Sequence, residues 1–127
     1  MAHRFSQHYT VSEARQLIPQ IRLWLDEFRR LSQKAERLDN FLSTRLDAGE
    51  DLGGVRVNDS LRASQRLTEI QHEFVSREIQ IKDLERGLID FPSLRSGREV
   101  FLCWEENDDD IEFWHDLESG FAGREPV

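Results

Sequence analysis

A chain of 127 residues with 38% hydrophobic and 33% charged side chains, including eight Phe and three Trp, holds enough apolar material for one core but not for two. Its net charge of -8 argues against a general nucleic-acid binder or a partner of anionic lipid surfaces, since both are polyanions. A single cysteine excludes an intrachain disulfide framework, and the longest apolar run, Val100 to Trp104, is too short for a membrane span or a signal segment, so a cytoplasmic protein is expected.

The first element opens at Thr10-Val11-Ser12-Glu13. This is a capping box, in which the Thr10 side chain accepts from a first-turn N–H and Glu13 reaches back to the Thr10 N–H. Beyond it, Ala14, Leu17, Ile21, Trp24, Phe28, Leu31, Ala35, Leu38 and Leu42 follow a 3, 4, 3, 4 spacing that predicts a long helix over residues 10–47. Pro19 cannot donate to the carbonyl of Arg15, so a kink is expected there. A rod of about 50 Å, at about 1.5 Å per residue, needs a partner along its length. Gly49 to Val55 reads as a turn-forming linker, and a second seam of Ala63, Leu67, Ile70 and Phe74 predicts a helix over 57–77. The two helices form a coiled-coil-like antiparallel hairpin.

At Arg77 the seam ends and Ile79 and Ile81 alternate with polar residues, which predicts a strand from residue 79. The alternative is a helix continuing to Glu85 with Gly87 as its C′ residue. Leu88 to Ser93 and Arg98 to Trp104 read as a hairpin around Leu94-Arg95-Ser96-Gly97. Ile111 to His115 follows as a third strand, with a short helix from Asp109 or Asp110 to Gly120 as its alternative. The fold expected is α+β: one domain over 1–127, a long antiparallel helical hairpin, a small antiparallel sheet over 79–116 and an irregular tail over 117–127.

Pairing Ser93 with Arg98 and Trp104 with Ile111 sorts the sheet into two faces. One carries Ile89, Phe91, Val100, Leu102, Trp104, Ile111, Phe113 and His115 and is expected to pack on the helices. The other carries Leu88, Asp90, Phe101, Cys103, Glu112 and Trp114.

Several motifs together resemble the bacterial domain-of-unknown-function family 2203: Tyr9-Thr10, Glu13-Ala14, Leu17-Ile18-Pro19, Lys82-Asp83-Leu84, Gly87 to Pro92, Gly97-Arg98, Leu102-Cys103-Trp104, Trp114-His115 and Gly120 to Arg124 with Pro126. The resemblance covers nearly the whole chain and implies a small, single-domain bacterial protein of the cytoplasm. Two departures from the pattern stand out: Glu78 stands where such sequences have glycine, and Glu106-Asn107-Asp108 replaces a Leu-Gly-Glu turn.

Candidate binding residues are Asp83, Asp90, Arg98, Cys103, Trp114, His115 and Arg124. Asp90 sits in an apolar strand, where desolvation raises a carboxyl pKa unless a partner such as Arg98 or Arg124 holds it down. Cys103 opposite Glu112, with Asp90 beside them, gives thiolate and carboxylate at metal distance. Against this, Cys103 also reads as a buried small hydrophobe and His115 as a core-edge histidine bonded to a carbonyl. Asp90, Glu112 and His115 are the metal candidates, yet one Cys and the dispersed His3, His8, His72 and His115 lack zinc-site spacing, and no cofactor is expected.

The acidic run Glu105 to Asp110 lacks the glycine and spaced ligands of a calcium loop. Residues 1–46 carry net +3 and the remainder net -11, so the basic first helix is expected to meet an acidic surface of this chain or of a second copy. Ile18, Leu25 and Phe41 lie outside the seam and broaden the apolar coverage of that helix, which predicts a homodimer. The expected function is a non-enzymatic, dimeric interaction or scaffold protein. The alternative is a small-ligand- or metal-binding protein or enzyme with its site on the C-terminal sheet.

Overall fold

The structure, a computed structural model, describes residues 2–47, 49 and 54–127. It is α+β, with two helices followed by a five-stranded antiparallel sheet in sequential order. Helix α1 spans Val11–Asp47 and α2 spans Gly54–Ser76. Most of the linker expected between them lies outside the described residues. The capping box forms as read: Thr10 N–H donates to Glu13 Oε1 at 3.0 Å and Glu13 N–H donates to Thr10 Oγ1 at 3.1 Å. Helix α1 continues through Pro19.

The chain divides into two compact units, Trp24–His72 on one hand and Met1–Leu23 with Glu73–Val127 on the other. In the first, the helices run antiparallel. Glu27 meets Arg66, Asp39 meets Ser60, and Phe41 lies under the Arg56 guanidinium at 4.3 Å, so positions rise on one helix as they fall on the other. Leu25 and Ile70 are fully buried there, with Trp24, Leu38 and Ala63 close behind. Arg66 grips both oxygens of Glu27, at 3.0 and 2.8 Å, in the fork geometry that makes guanidinium and carboxylate a directional pair.

In the second unit, α2 ends in a Schellman motif. Ile79 N–H donates to the Phe74 carbonyl and Glu78 N–H to the Val75 carbonyl, which places Glu78 at C′ with φ 59°. Phe74 and Ile79, 2% and 3% exposed, make the buried apolar pair that usually accompanies this cap. The chain then enters β1, Gln80–Asp83, so the strand reading of this stretch holds and the continuing helix does not.

Strands β2, Leu88–Arg95, and β3, Arg98–Glu105, form the centre of the sheet, with β4, Phe113–Asp116, and β5, Glu125–Pro126, beyond them. Two registers differ from the sequence reading. Arg95 pairs with Arg98, so Ser93 faces Val100, and the turn is a two-residue type I′ with Ser96 at φ 53° and Gly97 at φ 79°. That shift of two residues leaves every side chain of β2 and β3 on the face expected.

On the other side of β3, Cys103 pairs with Phe113 rather than Trp104 with Ile111, a slip of one residue that turns β4 over. Its effect is to move His115 onto the face of Asp90 and Cys103 and to send Trp114 to the opposite face. The tail is also more regular than expected. It forms a 3-10 turn at Phe121–Gly123 and then β5, which pairs with Phe113 and Trp114 of β4.

One face of the sheet, with Ile89, Phe91 and Trp104 all fully buried, receives the first turns of α1: the Arg22 guanidinium lies 4.9 Å above the Trp104 ring and Tyr9 packs edge-on against Phe91. The other face carries Asp90, Phe101, Cys103 and His115. Phe5 lies on it, 5.4 Å from the Phe101 ring.

Candidate functional site

Asp90 and Cys103 are direct cross-strand partners on β2 and β3, and His115 on β4 pairs with Phe101, two residues along β3 from Cys103 on the same face. Cross-strand and diagonal neighbours are the positions whose side chains touch, so the pleat alone brings a carboxylate, a thiol and an imidazole together. Their donor atoms all lie within 4.8 Å of one another, and the three residues are 2%, 0% and 2% exposed.

His115 Nδ1–H donates to the Asp116 carbonyl at 2.7 Å, and Nε2 lies 3.0 Å from Asp90 Oδ2. A carbonyl only accepts, so Nδ1 carries a proton and Nε2 is the nitrogen presented to Asp90. Burial pushes the His115 pKa down, but hydrogen bonds with Asp90, Cys103 and the Asp116 carbonyl, together with the Asp90 charge, outweigh it and hold the value up at about 10. Nε2 then donates to Asp90 as half of a buried ion pair. The pair leaves one group unsatisfied: Asp90 Oδ1 is buried and has no hydrogen-bond partner. Asp90 and His115 also line a pocket of about 240 Å³ together with Lys82, Phe101, Gly120 and Phe121.

The remaining sequence candidates lie elsewhere. Asp83 accepts the Arg86 N–H and closes the turn between β1 and β2. Arg98 pairs with Asp116 at 2.8 Å, and Arg124 lies 3.7 Å from Asp108 and between the rings of Phe113 and Phe121, so neither arginine is the partner of Asp90. Trp114, on the opposite face, lies under the Arg95 and Arg98 guanidiniums. Glu112 precedes β4, is exposed, and does not join Asp90 and Cys103. The expected Glu112 ligand is replaced by His115 because β4 is turned over.

A second group of donor residues, His3, His8 and Glu99, was not visible as a group in the sequence, where Glu99 stands more than ninety positions from either histidine. Its carboxylate is already filled. Glu99 accepts the N–H groups of Arg4 and Phe5 at 2.6 and 2.9 Å and the His8 ring at 2.9 Å. Burial raises its pKa, but the His8 bond and the two amides prevail and hold it down at about 2. Glu78 Oε1 likewise accepts the N–H groups of Ser6 and Gln7, both at 2.9 Å. Two carboxylates thus clasp the amino-terminal segment, and Tyr9 completes the join through its N–H to the Pro92 carbonyl and its own carbonyl to the Ser93 hydroxyl.

Among known protein families, the model described as an uncharacterized conserved protein, DUF2203, matches residues 7–127. No curated protein and no solved structure matches the chain. Among the described residues, no helix is long and apolar enough to cross a membrane.

Proposed function

The chain belongs to the DUF2203 family of uncharacterized conserved proteins, and we propose from the geometry of the site that it binds one divalent transition-metal cation through Asp90, Cys103 and His115. The observation that carries this reading is the convergence of three buried donors of different chemistry, one of them a carboxylate with an orphaned oxygen.

Sulfur, nitrogen and oxygen together suit a borderline cation such as Zn²⁺ better than Mg²⁺ or Ca²⁺, which take oxygen. Three protein donors leave one position for an outside ligand, as in sites that do more than hold a fold together. The Asp116 carbonyl fixes the His115 ring through Nδ1–H, the outer hydrogen bond that metal-binding histidines regularly make. A cation takes the place of the Nε2 proton and satisfies Asp90 Oδ1. Cys103 as a free nucleophile fits less well, because the thiol is fully buried and the two ring nitrogens of His115 are engaged by the Asp116 carbonyl and the Asp90 carboxylate.

Titration with Co²⁺ tests the reading. One equivalent is expected to produce a thiolate-to-cobalt charge-transfer band, and Cys103→Ser, which keeps the shape but removes the sulfur, should abolish the band and weaken uptake by about a hundredfold or more, beyond the 10–100-fold typical of outer contacts. A folded protein that shows no such band at saturating Co²⁺ overturns it.

A second reading, self-association through α2, is supported by Val57 and Leu61, which are 36% and 57% exposed one helical turn apart. It no longer draws on Ile18 and Leu25, because the chain itself buries them to 6% and 0% exposure. Light scattering at tens of micromolar should give a dimer mass that falls to a monomer in Leu61→Glu; a monomeric parent protein removes this reading.

A further inference from the structure

The pocket beside the three donors has walls of two kinds. Leu88, Phe101 and Phe121 are apolar, and Lys82 stands at the rim with its ammonium 5.3 Å from the centre of the Phe101 ring. The other charged groups around the pocket are matched: Asp90 with His115, Glu118 with Arg4 at 2.8 Å, and Arg86, which lies over Phe121, with Glu105 at 2.9 Å. Lys82 has no carboxylate within 4.0 Å among the described residues, so the charge left uncompensated at this pocket is positive.

A divalent cation held by the Asp90 carboxylate, the Cys103 thiolate and the neutral His115 imidazole makes a site of zero net charge, so Lys82 also decides the sign of ligand that the pocket prefers once the metal is in place. We propose that the pocket binds a small monocarboxylate, whose carboxylate fills the open metal position and faces Lys82 while a short apolar body lies against Phe101 and Phe121. The inference rests on the metal reading above. A volume of about 240 Å³ is below the range usual for drug-sized ligands and fits a molecule of only a few carbons. The apolar walls favour a carboxylate with a hydrocarbon body over inorganic phosphate, which would leave them uncovered.

The test uses the 127-residue chain loaded with Co²⁺ and two probes, butyrate and inorganic phosphate, read by the visible cobalt spectrum and by amide shifts of Leu88, Phe101 and Phe121. Butyrate is expected to change both signals and to bind more tightly than phosphate. Lys82→Gln, at an exposed side chain outside the metal donors, should weaken butyrate by about tenfold while leaving cobalt uptake unchanged. Phe121→Ala should weaken butyrate more than acetate.

Cobalt bound normally with no response to butyrate, or with a response that Lys82→Gln does not alter, overturns the carboxylate inference and leaves the metal site standing. Phosphate bound more tightly than butyrate, with only the cobalt spectrum changing, overturns the apolar-body assignment. Failure to take up cobalt at all overturns both readings.

Discussion

Glu78 occupies the C′ position of α2 with a left-handed backbone that costs a side-chain-bearing residue about 1 kcal/mol relative to glycine. Its carboxylate clasps Ser6 and Gln7, which glycine cannot do. Glu78→Ala keeps the strain and loses the clasp, whereas Glu78→Gly loses both. Thermal melts are expected to rank Ala below Gly by about 1 kcal/mol, and amide exchange at Ser6 and Gln7 should accelerate equally in the two variants. The glycine expected here from the family resemblance, and its absence in this chain, have one explanation: the position needs a left-handed residue, and Glu78 offsets the strain with two hydrogen bonds. Glu99 gives the amino-terminal segment a pH dependence. Its folded pKa, about 2, is depressed from the ordinary 4.5, so its contribution is fully present above about pH 4.5 and is lost as the pH falls toward 2. The amide signals of Arg4 and Phe5 are expected to follow that titration, and Glu99→Gln should already show them altered at neutral pH.

The helices were legible from periodicity because both elements keep their seam on one side. Ile21 and Ile70 are fully buried, while Leu23, two residues from Ile21, is 64% exposed. Ile21→Ala should cost about 2–5 kcal/mol and Leu23→Ala no more than about 0.5 kcal/mol, as read by urea denaturation. The sheet was legible only as far as parity allowed. Displacing β2 against β3 by two residues preserved both faces, so Asp90 and Cys103 were placed together from sequence. His115 was not, because the length of an irregular loop cannot be turned into a register by alternation alone. Between β3 and β4, Trp104 Nε1–H and the Arg22 guanidinium both donate to the Asp108 carbonyl, and Asp108 Oδ2 accepts the Glu105 N–H. Those contacts set where β4 begins, and the spacing of apolar residues carries no trace of them. The fifth strand was missed for a related reason: two residues are too few to show any period.

At the scale of the molecule, the unit that holds the three donors is assembled from both ends of the chain, and the helical unit Trp24–His72 is a continuous segment between them. Replacing residues 31–65 with a short glycine-rich link, which spares Glu27 and Arg66, is therefore expected to leave cobalt uptake unchanged; loss of the cobalt band in a variant that still shows strand circular dichroism would reject this independence. The register of β4 has an evolutionary consequence. Whether imidazole or indole joins the carboxylate and the thiol depends on the pairing of β4 with β3, which sets Phe113 opposite Cys103 and His115 opposite Phe101. Homologues whose connection differs in length keep this chemistry wherever that pairing is kept, whereas a slip of β4 by a single residue exchanges a histidine for a tryptophan without mutating either.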